Sequence, residues 1–158
     1  MGSAELDEVD QRILHLLQED ARFNTATDIA EEVDVTANTV RNRIQRLEER
    51  GIVRGYTPLV DYERADYQLK VVIRCTVPVP ERTDISKAAL EVDGVTEVRE
   101  LMAGQRNVEV TVVAAESHDV TVAASRLTEL GLEIEEEELV KNDYQRPFDG
   151  FGTDATGQ

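Results

Sequence analysis

The chain has 158 residues, with 33 Asp and Glu against 17 Lys and Arg, for a formal net charge of −16. That length suits one large domain or two small ones, and two small ones would have modest cores that oligomerisation extends. The acid excess works against a polyanionic partner over most of the surface, and no apolar run is long enough to span a bilayer.

Only Lys70, Lys87 and Lys141 are lysines, so the other 14 of the 17 basic residues are arginines. Dense carboxylates with scarce lysine match proteins of salt-saturated cytoplasm, where a Debye length of about 3 Å screens their repulsion. An ordinarily acidic protein is the alternative. The N-terminus lacks a basic region followed by an apolar stretch, so no secretion signal is expected. The single cysteine, Cys75, excludes an internal disulfide and fits a reducing, cytoplasmic setting.

In chain order, Val9, Ile13, Leu14, Leu16, Leu17 and Ala21 form a stripe of helical spacing and predict a first helix over residues 7–22. Asp7 is a natural N-cap, and Glu8 and Asp10 suit the positive helix start. Thr25 and Asp28 make a capping pair for a short second helix carrying Ile29, Ala30 and Val33. Asp34-Val35 then turns, Thr36 caps a third helix running to about Arg50, and Gly51 ends it. Ile52 to Tyr56 and Leu59-Val60 are expected to pair as a two-stranded wing, with Pro58 near its turn.

From Tyr67 the period falls to two. Leu69, Val71, Ile73, Cys75 and Val77 alternate with Lys70, Arg74 and Thr76 as a half-buried strand, stopped by Pro78 and Pro80. Asp84 is expected to cap a helix carrying Ile85, Ala88, Ala89 and Val92 and ended by Asp93-Gly94. Strands over residues 95–102 and 108–114 follow, joined by Gly104-Gln105-Arg106-Asn107. A helix from about His118 to Leu130 and a last strand over residues 132–140 complete the pattern, the Glu135–Glu138 run weakening that strand. The order β-α-β-β-α-β is that of a ferredoxin-like sandwich. The expectation is an α+β chain: a winged helix-turn-helix in residues 1–62, a linker in 63–67, a βαββαβ domain in 68–142 and a mobile polar tail in 143–158.

The third helix decides the functional reading. Val40, Ile44 and Leu47 share one face, while Asn38, Asn42, Gln45 and Arg46 point the other way, with Thr39, Arg41 and Arg43 on the flanks. Asn and Gln suit adenine edges, Arg suits guanine, and Thr suits either or a thymine methyl. Between Val35 and Tyr56, five arginines (41, 43, 46, 50 and 54) stand against Glu48 and Glu49, a local charge of +3 in a chain of −16. A basic segment in so acidic a protein points to double-stranded DNA as the partner there, through Thr36, Asn38, Thr39, Arg41, Asn42, Arg43, Gln45, Arg46 and Arg54. The bland alternative is a solvated helix face closed by pairs such as Gln45–Glu49.

Three stretches carry a resemblance. Leu6-Asp7-Glu8-Val9-Asp10-Gln11-Arg12-Ile13-Leu14, then Asp20-Ala21-Arg22, then residues 43–56 from Arg43-Ile44-Gln45-Arg46-Leu47 to Gly55-Tyr56 are similar to the Lrp/AsnC family of feast/famine regulators. With the composition, a halophilic archaeon is the expected source. The resemblance covers Leu6 to about Val140. It implies that residues 36–50 are a recognition helix and that the C-terminal βαββαβ (RAM- or ACT-like) domain forms homodimers or larger homo-oligomers and binds amino acids. The link over residues 23–27 looks a residue longer than usual.

In that family the loop between the second and third strands of this domain reads as glycine, an aromatic two residues on, then aspartate, close to the effector. Here Gly104 is kept, but Arg106 and Asn107 replace the aromatic and the acid. Gly104, Gln105, Arg106 and Asn107 are therefore the expected effector-binding residues, for a carboxylate-rich or neutral ligand rather than a basic one. A plain hairpin without ligand is the alternative.

No catalytic, metal or cofactor residues are expected: His15 and His118 lack a ligand cluster, Cys75 lies in an apolar strand phase, and no phosphate loop, dinucleotide fingerprint or nucleophile triad is present. Two other functions fit the architecture. One is an effector-independent architectural DNA protein. The other is a sirohaem-decarboxylase-like enzyme, against which Gly94-Val95-Thr96-Glu97-Val98-Arg99-Glu100 lacks aromatics and supplies acids.

Overall fold

The computed structural model describes residues 5–151. The expected polar end from Gly152 onward, and residues 1–4, lie outside the described residues. The described chain divides into two units, one of residues 5–58 with 144–151 and the other of Leu59–Asp143.

In the first unit, helices form where side chains satisfy their free N–H groups. α1 (Glu8–Glu19) starts at a reciprocal capping box, the Asp7 carboxylate accepting the Asp10 N–H at 2.8 Å and the Asp10 carboxylate accepting the Asp7 N–H at 3.4 Å. It stops before the expected Arg22. The Asp20 carboxylate takes the N–H groups of Arg22 and Phe23, both at 3.0 Å, and turns the chain out of the helix. α2 (Ala26–Val33) carries the expected Thr25–Asp28 box, and Asp34 at φ 55° leads into α3 (Ala37–Glu49), capped by Thr36. The three apolar faces meet in a core of Ile13, Leu14, Leu16, Ile29, Val40 and Leu47. Gly51, at φ 70°, occupies the left-handed position past α3.

The wing differs from the expectation. No strand ladder forms over residues 52–60. The N–H groups of Ile52 and Val53 instead return to the Leu47 carbonyl, at 2.9 and 3.1 Å, and both side chains pack on the three-helix core. A two-stranded ribbon without a third strand is marginal, and Pro58 removes one of its donors. The tail also differs. Residues 144–151 pack within the first unit: the Phe148 N–H donates to Gln18 Oε1 at 3.3 Å, Phe148 and Phe151 meet edge to face at 5.0 Å, and Phe151 lies against the core. Two phenylalanines give this polar stretch apolar area to bury.

In the second unit, residues 63–65 of the expected linker form one 3-10 turn. β1 (Leu69–Thr76), α4 (Arg82–Leu90), β2 (Val95–Glu100), β3 (Val108–Ala114), α5 (Ser117–Glu129) and β4 (Glu133–Leu139) follow in the expected order. The sheet is antiparallel with strand order β2-β3-β1-β4. α4 begins two residues before Asp84, which lies in its first turn rather than at its cap; the preceding Pro80 and Glu81 already form a 3-10 turn that feeds the helix. Val71, Ile73, Cys75, Val108, Val110 and Val112 line one face of the sheet and bury Ala89 of α4 and Ala123 and Leu127 of α5. Both helices thus cover the same face. Gly94, at φ 87°, brings the chain so close to β3 that a Cβ would stand 3.2 Å from the Val113 carbonyl.

The other face carries charge. Arg74 of β1 meets Glu109 of β3 at 3.5 Å and Glu136 and Glu138 of β4 at 3.2 and 2.9 Å. Arg74 thus meets across the ladder the two glutamates of β4 that share its face, Glu136 and Glu138. A bulge between Arg74 and Cys75 leaves Glu135 free to accept the Thr76 hydroxyl at 2.9 Å.

Burial pushes the Cys75 thiol up to about 12, so it stays protonated at neutral pH. Iodoacetamide at pH 8 should leave Cys75 unmodified in the native protein and label it fully in guanidinium, as read by mass spectrometry. Rapid native labelling would show that the β1 core opens.

Candidate nucleic-acid interface and effector loop

α3 owes its orientation to its own apolar stripe. Val40 and Leu47 are buried and Ile44 is half-buried, which turns Asn38, Arg41, Asn42, Gln45 and Arg46 outward, all exposed. Thr36 accepts the Thr39 N–H at 3.1 Å, and the two hydroxyls lie 2.8 Å apart, so both expected threonines act in the cap. Gln45 donates to Glu49 at 3.1 Å, the intrahelical pair of the bland alternative. Arg54 is exposed beyond the helix.

Arg43, expected at the DNA, is engaged within its own unit. Its guanidinium turns back to α1, where Nη1 donates to Asp7 Oδ2 and, at 3.1 Å, to Asp10 Oδ1. The Arg43 hydrogen bond, helped by the Asp10 N–H, holds the Asp7 carboxyl below its ordinary range. Asp7 and Asp10 were legible only as capping residues, because the partner lies more than thirty positions away. Elsewhere on this unit Glu19, Asp28, Glu31 and Glu32 line a shallow crevice between α1 and α2, a surface that repels polyanions.

The second unit brings the four expected effector residues to one loop but gives them different tasks. Asn107 is fully buried. Its amide accepts the Val77 N–H and donates to the Val77 carbonyl, both at 2.9 Å, so neither end is open to a ligand. Arg106 sits at φ 48°, its N–H donating to Thr76 Oγ1 at 2.8 Å, while its guanidinium reaches Glu135 at 3.1 Å and Glu136 at 3.4 Å. Gly104 and Gln105 are exposed, with nothing within 4 Å of a Cβ built on Gly104. Arg82 of α4, which sequence reading missed, fastens the loop by donating to the Leu101 carbonyl at 2.8 Å. Nothing in the local pattern of an exposed-looking helix start marked that residue.

Residues 6–54 match a family model described as winged helix-turn-helix DNA-binding. An uncharacterized HTH-type transcriptional regulator of Pyrococcus furiosus is 34% identical over 115 residues, covering 73% of this chain and 68% of that protein. Another from the same organism is 39% identical over 69 residues, which are 44% of this chain and 46% of that one. The chain thus spans about half the length of the first relatives it matches. Among solved structures, the leucine response regulatory protein of Mycobacterium tuberculosis aligns with a TM-score of 0.74 at 22% identity, covering 89% of this chain and 95% of that one. A regulator from Neisseria meningitidis in complex with L-Met aligns at 0.73 and 22%, covering 90% and 94%. At that identity the structures speak for the fold.

Asn107→Asp should destabilise the second unit. The change removes the donor to the Val77 carbonyl and puts a charge where the residue is fully buried. A loss of at least about 2 kcal/mol is expected in urea denaturation, since an unsatisfied buried acceptor alone costs about 1–3. An unchanged midpoint would show that the amide bridge carries no load.

Proposed function

Since the chain belongs to the Lrp/AsnC (feast/famine) family of HTH-type transcriptional regulators, we propose that it is a sequence-specific regulator that reads double-stranded DNA with the exposed face of α3 and answers to a small metabolite through its second unit. One observation carries the DNA reading. Arg41, Arg46 and Arg54, all on or just after α3, have no carboxylate partner among the described residues; Arg22 and Arg126 also lack one but stand singly on other elements, and Arg12, Arg64, Arg74 and Arg99 each lie within 3.5 Å of one. In a chain with 33 acids, arginines left open on one surface favour an anionic partner there.

The start of α3 supports the same reading. α1, α2, α4 and α5 each have an acid in the first turn, and α3 has none. Its positive end is left for a phosphate, which fixes register on the duplex. Asn38 and Asn42 then suit adenine edges and Arg46 a guanine.

For the effector, the exposed groups of the loop are Gly104, Gln105 and the Arg106–Glu135 pair. That pair offers both charges. A ligand carboxylate exchanges with Glu135 on Arg106, and a neutral or zwitterionic metabolite suits the site better than a basic one. The internal engagement of Asn107 and Arg106 favours the second reading, an architectural DNA protein without effector. Calorimetry with a metabolite panel on wild type and Arg106→Ala separates the two.

The reading includes a homodimer joined through the face of the sheet that α4 and α5 leave uncovered, because its mixed Arg74–Glu109–Glu136 chemistry is self-complementary about a two-fold axis. The salt-rich setting rests on composition alone: screening at molar salt lets 33 acids coexist in a folded chain.

The double change Asn42→Ala with Arg46→Ala should weaken binding to a selected operator by about 2–6 kcal/mol, from about 1–3 per base-reading side chain. Unchanged binding in a gel-shift titration would sink the assignment. Light scattering in molar potassium chloride should give at least twice the chain mass of 17.7 kDa, and a monomer mass would refute the assembly.

A further inference from the structure

Arg43 stands apart from the other arginines of α3. Three residues after Val40 and four before Leu47, it borders the buried stripe, and its side chain is 24% exposed. Two carboxylates of one helical turn, Asp7 and Asp10, hold one guanidinium nitrogen. The reciprocal cap at the start of α1 fixes both acids. The remaining α1–α3 contacts in the core are apolar, and apolar contact is not directional. Charge-assisted hydrogen bonds are short and directional. Resting on the DNA reading of α3, we propose that Arg43, gripped by Asp7 and Asp10, is a positioning residue that sets the rotation of the recognition helix about its own axis and makes no contact with DNA itself.

Two magnitudes favour that role. Side-chain tips lie roughly 6 Å from a helix axis, so a 20° rotation moves them by about 2 Å, enough to break a base-edge hydrogen bond. And Asp10 is only 5% exposed, so an Arg43 that left for a phosphate would strand a buried carboxylate, which is strongly unfavourable. The arginines with no such partner, Arg41 and Arg46, are free to meet DNA at no comparable cost.

The test uses the full chain, a duplex selected by wild type from a randomised pool, and a random-sequence duplex of the same length. Asp7→Asn keeps an N-cap acceptor but removes the charge that faces Arg43. Arg43→Gln removes the cation, and Arg43→Lys keeps it without the planar fork. Arg43→Gln and Asp7→Asn should each lower the preference for the selected over the random duplex by about tenfold or more, spread over all contacted positions. Affinity for the random duplex and its salt slope should be unchanged, with melting curves confirming folded protein at the assay temperature. Arg43→Lys should recover part of the preference. An unchanged preference would overturn the proposal. So would a loss confined to one base pair, which marks a base reader, or a salt slope reduced by about one, which marks a phosphate contact. Should Arg43→Gln not fold, Asp7→Asn decides alone, since its cap is intact. Arg46→Ala runs in parallel: if it too leaves the preference intact, the DNA reading of α3 fails whatever Arg43 does.

Discussion

Positive charge is the scarce quantity in this molecule, with 17 basic side chains among 33 acids, and where each arginine goes decides how both units are held. In the first unit Arg12 reaches from α1 to Glu32 of α2, and Arg43 reaches from α3 to Asp7 and Asp10 of α1. In the second, Arg74 gathers acids from β3 and β4, Arg99 ties Glu97 to Glu109, and Arg106 ties the β2–β3 loop to the start of β4. Exposed pairs are individually worth little, about 0–1 kcal/mol. Their consequence here is geometric: each of these arginines joins two elements at a fixed point.

The same scarcity gives the exposed face of α3 its meaning. A basic side chain without a carboxylate neighbour is unremarked in a balanced protein. Here acids line the α1–α2 crevice and the β4 edge, and three arginines without a carboxylate neighbour, Arg41, Arg46 and Arg54, stand on or just after α3, against one on α5 (Arg126) and one after α1 (Arg22). The exposed carboxylates of β4 also discourage edge-to-edge pairing of a strand that would otherwise be open.

Residues of one type take opposite tasks in the two units. Asn42 is exposed on α3, while Asn107 is fully buried and bridges the Val77 main chain. Arg46 stands open, while Arg43, one turn earlier, is locked to α1. In each pair the difference lies in what another part of the chain brings alongside. The loop at Gly104 makes the same point: the substitution that suggested a changed ligand, Asn107, serves the packing of β3 on the end of β1, and a carboxylate could not donate the bond to the Val77 carbonyl that this amide donates.

The sequence by itself determined the order of elements, the caps at Asp7, Thr25 and Thr36, the stop at Gly51, and the period-two strand through Ile73 and Cys75. Those features follow from forces acting within a few residues: side-chain acceptors meeting free helix N–H groups, and apolar spacing of 3.6 or 2. It also placed Asn38, Asn42 and Arg46 on one outward face, because a helix carries its residues round at a fixed angle. Tertiary structure alone decided that Ile52 and Val53 fold back on the core instead of pairing, that Phe151 joins that core, that Arg43 turns to Asp7 and Asp10, and that Asn107 bridges the Val77 main chain. The partners of Arg43 and Asn107 lie 30 or more positions away in the chain, and Phe151 comes from the opposite end of it from the core that it joins. Which polar group meets which across such distances depends on how the elements cross and what the core leaves uncovered, and no local period records it.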